Sequence, residues 1–125
     1  MSVARILYIE DSPPNRLLVK RILTAEGYEV LEADDGISGM EIARREHPDL
    51  ILMDMNLPDV DGYEITRRLR ESPDLRCIPV VAMTANVMHG DREKALEAGC
   101  AGYIPKPIDV DALPEQVARF LEGNP

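Results

Sequence analysis

The sequence predicts an α/β domain built on a doubly wound, five-stranded parallel sheet with five helices, and three observations predict it. Short apolar runs alternate with longer segments of helical period along the 125 residues. Two of the runs, Leu50-Ile51-Leu52-Met53 and Pro79-Val80-Val81-Ala82-Met83, are continuously apolar, as strands covered on both faces are. No repeat, linker or low-complexity tract interrupts the alternation, which places residues 1–125 in a single domain. Strands that alternate with helices pair in parallel, because each helix carries the right-handed crossover that parallel neighbours need.

The elements follow in order. Arg5-Ile6-Leu7-Tyr8-Ile9 reads as the first strand. Pro13 and Pro14, admissible only in an opening turn, start the first helix; Leu18, Ile22 and Ala25 form its apolar stripe and Gly27 marks its end. Tyr28 to Ala33 is a more alternating second strand. The second helix runs roughly from Ile37 through Met40 and Ala43 to Glu46 and is stopped by Pro48. After the Leu50–Met53 strand, Asp61 is the N-cap of a third helix that carries Ile65 and Leu69 as far as Ser72-Pro73. The fourth strand is followed by a short helix, Asp91 to Ala98, thin in apolar positions and closed by Gly99. Gly102-Tyr103-Ile104-Pro105 is a weaker fifth strand, and the last helix aligns Leu113, Val117, Phe120 and Leu121 before Gly123. With no Trp and one Phe, the core is aliphatic.

Composition narrows the function. Acidic residues outnumber basic ones by 23 to 14, for a formal charge of −9, which argues against a nucleic acid or an anionic membrane surface as partner. No apolar stretch is long enough to cross a bilayer, and the N-terminus lacks a secretory apolar run, so a cytoplasmic location is expected. Cys77 and Cys100 sit in no metal or redox spacing and read as reduced thiols. His47 and His89 have no partner spacing and read as surface residues.

In parallel sheets, function gathers at the carboxyl ends of the strands. There the first strand carries Glu10-Asp11, the third Asp54, the fourth Thr84 and the fifth Lys106-Pro107. Three neighbouring carboxylates repel unless a cation joins them. Oxygen ligands without His or Cys favour a hard cation, and Mg²⁺ fits best. The loop Asp11-Ser12-Pro13-Pro14-Asn15 has no glycine cradle and would repel a nucleotide or flavin phosphate. Taken singly, each residue has a plainer reading: Asp59 and Asp61 as turn or cap residues, Thr84 as a cap, Lys106 as a solvated lysine, Met53 and Met55 as packing.

Taken together, Ile9-Glu10-Asp11-Ser12-Pro13-Pro14-Asn15, Asp49 to Gly62, Met83-Thr84-Ala85-Asn86 and Gly102 to Pro107 closely resemble the receiver domain of two-component response regulators, over about Val3 to Glu122. The resemblance implies the strand order 2-1-3-4-5 of the flavodoxin-like sheet and a cis Lys106-Pro107 bond. It implies that Asp54 is the phosphoacceptor for a phosphohistidine on a histidine kinase or histidine phosphotransfer protein. It implies a Mg²⁺ held by Asp11 and Asp54, with Glu10 assisting and the Asn56 carbonyl as a further ligand. Lys106 and Thr84 then meet the phosphoryl oxygens, and Asn56 and Asn86 occupy positions that tune the phosphate's lifetime. Thr84 and Tyr103 stand where the family couples phosphorylation to a surface of the fourth helix, fifth strand and fifth helix, through which a downstream protein is engaged.

On this reading the chain is a regulator rather than an enzyme, with only self-phosphorylation and autodephosphorylation expected. The ends at Met1-Ser2 and Asn124-Pro125 favour a free-standing regulator, with a receiver excised from a hybrid histidine kinase as the alternative. A haloacid-dehalogenase-like phosphatase is the competitor among enzymes, since Asp54-Met55-Asn56 faintly resembles its Asp-x-Asp motif; the amide at Asn56 removes that family's general acid. A docking-only pseudo-receiver is a further alternative.

Overall fold

In the computed structural model, residues 3–85 and 90–123 are described, apart from the side chain of Asp91. Asn86, His89 and the two chain ends lie outside them. The order is β1 (Arg5–Ile9), α1 (Pro13–Ala25), β2 (Glu29–Ala33), α2 (Gly36–Glu46), β3 (Leu50–Asp54), α3 (Gly62–Glu71), β4 (Val80–Thr84), α4 (Asp91–Ala98), β5 (Gly102–Pro105) and α5 (Leu113–Leu121). All strand pairs are parallel and the sheet order is β2-β1-β3-β4-β5, as expected.

Strand alternation divides the core in two. Ile6, Tyr8, Leu50, Leu52, Val81, Met83 and Ile104 face Val19 and Leu23 of α1 and Leu113 and Val117 of α5. Leu7, Ile9, Ile51, Met53, Val80 and Ala82 face Met40 and Ala43 of α2, Ile65 and Leu69 of α3, and Ala95 of α4. β3 and β4 are buried along their whole length, which is why both are continuously apolar. The edge strands β2 and β5 are partly open, which matches their weaker sequence signal.

The helix ends carry the expected punctuation. Ser12 caps α1, accepting from the Asn15 N–H at 3.4 Å, and Asp61 caps α3, accepting from the Tyr63 N–H at 2.8 Å. His47 is exposed, as expected, and closes α2 in the left-handed region (φ 46°). Gly99 closes α4 at φ 105°.

One packing expectation is corrected. The stripe of α1 that meets the sheet is Val19 and Leu23 with Ile22 on its flank, whereas Leu18 is 39% exposed and Ala25 is exposed. Leu17, Leu18 and Val19 are consecutive apolar residues, so two overlapping stripes satisfy the period, and the second is the one that packs on the sheet.

Candidate functional site

The parallel register brings the strand ends to one edge. Backbone bonds carry the ladder past the strands: the Glu10 N–H donates to the Ala33 carbonyl (3.0 Å), Met55 to Met83 (3.2 Å) and Lys106 to Thr84 (2.8 Å). Alternation then sets the side chains. Glu10 follows Tyr8, Asp54 follows Leu52 and Lys106 follows Ile104 on the face toward α1 and α5. Glu10 is 1% exposed and Asp54 3% exposed, whereas Asp11 stands open to solvent beside them. One carboxylate oxygen from each of the three lies within 4.8 Å of the others.

A buried pair of carboxylates needs compensation. The Lys106 ammonium stands 3.0 Å from Glu10 Oε1 and 3.2 Å from Asp54 Oδ1, bridging both. Lys106 is held protonated: burial alone would lower it, and the hydrogen bonds and charges of Glu10 and Asp54 outweigh that. The Asn56 N–H donates to Asp54 Oδ1 at 3.1 Å. In the metal-free pair, burial first and the neighbouring Glu10 second push Asp54 up to about 6. Burial would raise Glu10 too, but hydrogen bonds from Asp54, Asn15 and Lys106 hold it at about 2. The buried pair thus holds a proton to higher pH than isolated carboxylates do.

Several contacts around this core have no signature in the sequence. Asn15 Nδ2 donates to Glu10 Oε1 at 3.0 Å, and the Tyr8 hydroxyl reaches the same oxygen at 3.4 Å. Arg16 Nη1 donates to the Glu10 carbonyl at 2.6 Å, so consecutive residues of α1 grip both the side chain and the backbone of Glu10. Asp59 turns from the β3–α3 loop to α2, accepting from the Gly36 and Ile37 N–H groups at 2.9 and 3.0 Å. Its reading as a cap holds, but for a helix 23 residues earlier in the chain. Gly62 lets α3 start against the site, because a Cβ there would stand 2.8 Å from the Asp54 carbonyl oxygen. Met53 and Met55 are buried in the core on the α2–α3 side, in keeping with a packing role.

Thr84 is buried at the end of β4, and strand alternation puts it on the α4 side of the sheet together with half-buried Tyr103 of the adjoining strand. Arg92 of α4 lies over the Tyr103 ring, 5.7 Å from its centroid. The Lys106-Pro107 bond is cis.

Every sequence-predicted site residue among the described ones therefore meets at this edge: an acidic trio, a bridging lysine, a buried threonine and an open loop at Asn56. All donors of the trio are carboxylates and their summed charge exceeds that of Lys106, a set that suits a hard divalent cation.

Such a sheet edge, acidic and without a phosphate cradle, fits a signalling domain of the doubly wound class better than a nucleotide-binding one, and comparison with known proteins agrees. Residues 6–118 match the response regulator receiver domain family, and the chain belongs to it. It is 41% identical over 116 residues to the polar-differentiation response regulator DivK of Brucella ovis, covering 93% of this chain and 94% of that one. The receiver domain of the sensor histidine kinase PA1611 of Pseudomonas aeruginosa, with a magnesium ion coordinated in its active-site cleft, superposes with a TM-score of 0.88 at 38% identity, over 97% of this chain and 99% of that one. Chemotaxis response regulator CheY4 of Vibrio cholerae gives 0.89 at 26% identity, over 94% and 98%. The chain is thus a response regulator receiver domain of two-component signalling, with a regulatory rather than an enzymatic role. Among the described residues, no helix is long and apolar enough to cross a membrane.

Proposed function

We propose that this receiver, spanning residues 1–125 as one cytoplasmic domain, takes a phosphoryl group onto Asp54 from a phosphohistidine of a histidine kinase or histidine phosphotransfer protein. The observation that carries the reading is the Lys106 ammonium bridging Glu10 and Asp54 at 3.0 and 3.2 Å beside an acidic trio. Mg²⁺ is the cation that suits the trio; Asp11 and Asp54 would hold it, assisted by Glu10 and the Asn56 carbonyl, and when bound it neutralises phosphoryl oxygens. An Asp54 carboxylate oxygen bonds to phosphorus as the P–N bond breaks, and the donor imidazole nitrogen keeps that electron pair. Lys106 exchanges its contacts with Glu10 and Asp54 for the phosphoryl oxygens, so its charge is in place before transfer and costs little reorganisation. Thr84 donates its hydroxyl to the same group.

Signal output follows from Thr84 and Tyr103 sharing the α4 face of β4 and β5. Withdrawal of Thr84 toward the phosphoryl group opens room for Tyr103 to turn inward, which changes the α4–β5–α5 surface offered to a downstream protein. α4 suits a moving element: among its described side chains only those of Ala95 and Ala98 are buried, and Leu96 is 48% exposed.

Incubation with acetyl phosphate and Mg²⁺, followed by intact mass, tests the assignment. One labile phosphoryl adduct per chain is expected, absent in Asp54→Asn and absent with chelator; equal labelling of Asp54→Asn would overturn it.

A further inference from the structure

One oxygen of Glu10 is more heavily used than the site's chemistry requires. Glu10 Oε1 takes the Lys106 ammonium at 3.0 Å, the Asn15 amide at 3.0 Å and the Tyr8 hydroxyl at 3.4 Å. None of these three donors is directed at Oε2, and the further hydrogen-bond partner of the carboxylate is Asp54. The donors come from independent parts of the chain: the residue that follows β5, the first turn of α1, and β1 itself two residues upstream. Tyr8 is wholly buried under the site, so its hydroxyl has to be satisfied from within the fold, and Glu10 is where it points.

The three donors are not equivalent. Lys106 is required elsewhere once a phosphoryl group arrives, and it also contacts Asp54. Asn15 and Tyr8 are neutral and have no such second task, so they stay when Lys106 leaves. We propose that Asn15 and Tyr8 are positioning residues that hold the Glu10 carboxylate in place through the exchange in which Lys106 moves from Glu10 to the phosphoryl group. This rests on the proposed function above. Without them, a released Glu10 would swing with the lysine or fold onto Asp54. Partners that orient a ligand in this manner ordinarily change metal affinity by about an order of magnitude or more; Glu10 only assists the cation, so a smaller effect is expected.

The test is calorimetric titration of Mg²⁺ into wild type, Asn15→Ala and Tyr8→Phe, each alone and in a Glu10→Ala background. Tyr8→Phe removes only the hydroxyl and keeps the ring in the apolar core, and Asn15→Ala keeps the N–H that Ser12 caps. The expected result is a weakening of about 5-fold for Asn15→Ala and about 3-fold for Tyr8→Phe, vanishing when Glu10 is absent. Labelling by acetyl phosphate should fall in both variants at subsaturating Mg²⁺ and recover at least in part at saturating Mg²⁺. Unchanged Mg²⁺ affinity in both variants overturns the proposal, and so does a weakening that persists in the Glu10→Ala background. If wild type itself neither binds Mg²⁺ nor accepts label, the failure lies in the underlying functional reading, and this proposal falls with it.

Discussion

Asp54 and Glu10 are both buried and, among the described residues, Lys106 is the one side-chain cation that faces them, which makes the metal-free site a liability near neutral pH. Asp54 is raised to about 6 from 3.8, so the stability its protonated form contributes is full below about 3.8 and is lost as pH rises through about 6. Glu10 shifts the other way: its contribution is present above its ordinary 4.5 and is lost only as pH falls toward about 2, below that window. Asparagine at 54 imitates the protonated acid at every pH and still offers Glu10 a donor. Asp54→Asn should therefore be more stable than wild type by about 2 kcal/mol at pH 7 with chelator, and equal to it near pH 4. Urea midpoints at the two pH values check this; a constant difference would show that the proton is not the cause. Lys106→Met has the opposite sign, because it leaves two buried carboxylates without their bridge. It should destabilise the metal-free protein by about 2 kcal/mol at pH 7, with much of the loss recovered in Mg²⁺. Residue types alone indicated that Glu10, Asp11, Asp54 and Lys106 would meet, since each ends a strand. They did not indicate that Asn15 and Tyr8 fasten one oxygen of Glu10, because side-chain convergence from separate elements has no spacing signature.

At the scale of elements, what was legible depended on whether the governing signal was local. Prolines 13 and 14, Asp61 and Gly99 act within one turn of their own helix, and those boundaries lie where the residues put them. The apolar stripe of α1 was ambiguous because Leu17, Leu18 and Val19 are consecutive, and only packing on the sheet distinguishes them. The start of α2 was hardest to read: Asp35 caps it locally through the Ser38 N–H at 2.8 Å, while Asp59 caps it from the β3–α3 loop. Burial alone would raise Asp59, and the Gly36 and Ile37 N–H groups outweigh it and hold the carboxyl below its ordinary value. Asp59→Ala should cost about 1 kcal/mol, the usual value of a capping carboxylate, with Asp59→Asn costing less. Labelling of Asp54 should survive in both. Denaturation midpoints measured with the labelling assay separate a cap from a site residue: lost labelling in a folded Asp59→Ala would mean that the loop, not only α2, depends on it.

The whole molecule combines a rigid half and a loosely fastened one, and function follows from the contrast. Between Arg5 at one end and Asp54 and Thr84 at the other, β1, β3 and β4 form a predominantly apolar slab buried beneath helices on both faces, so the acidic trio sits on a base that does not yield. On the far side of β4, α4 rests on two alanines and has no side-chain cap at Gly90. On the proposed reading, a phosphoryl group held at Asp54 would do little to the slab and would act through Thr84 on the side where opening costs least. Hydrogen exchange on the beryllofluoride and Mg²⁺ complex should therefore change in α4 and β5 and stay constant in β1 and β3. Thr84→Ala separates charge capture from its transmission: beryllofluoride should still bind at Asp54, whereas the exchange change in α4 should be lost or fall several-fold. An α4 response of wild-type size in Thr84→Ala would mean that the signal leaves the site through the loops around Asn56 or Lys106, and Tyr103 would then be packing alone.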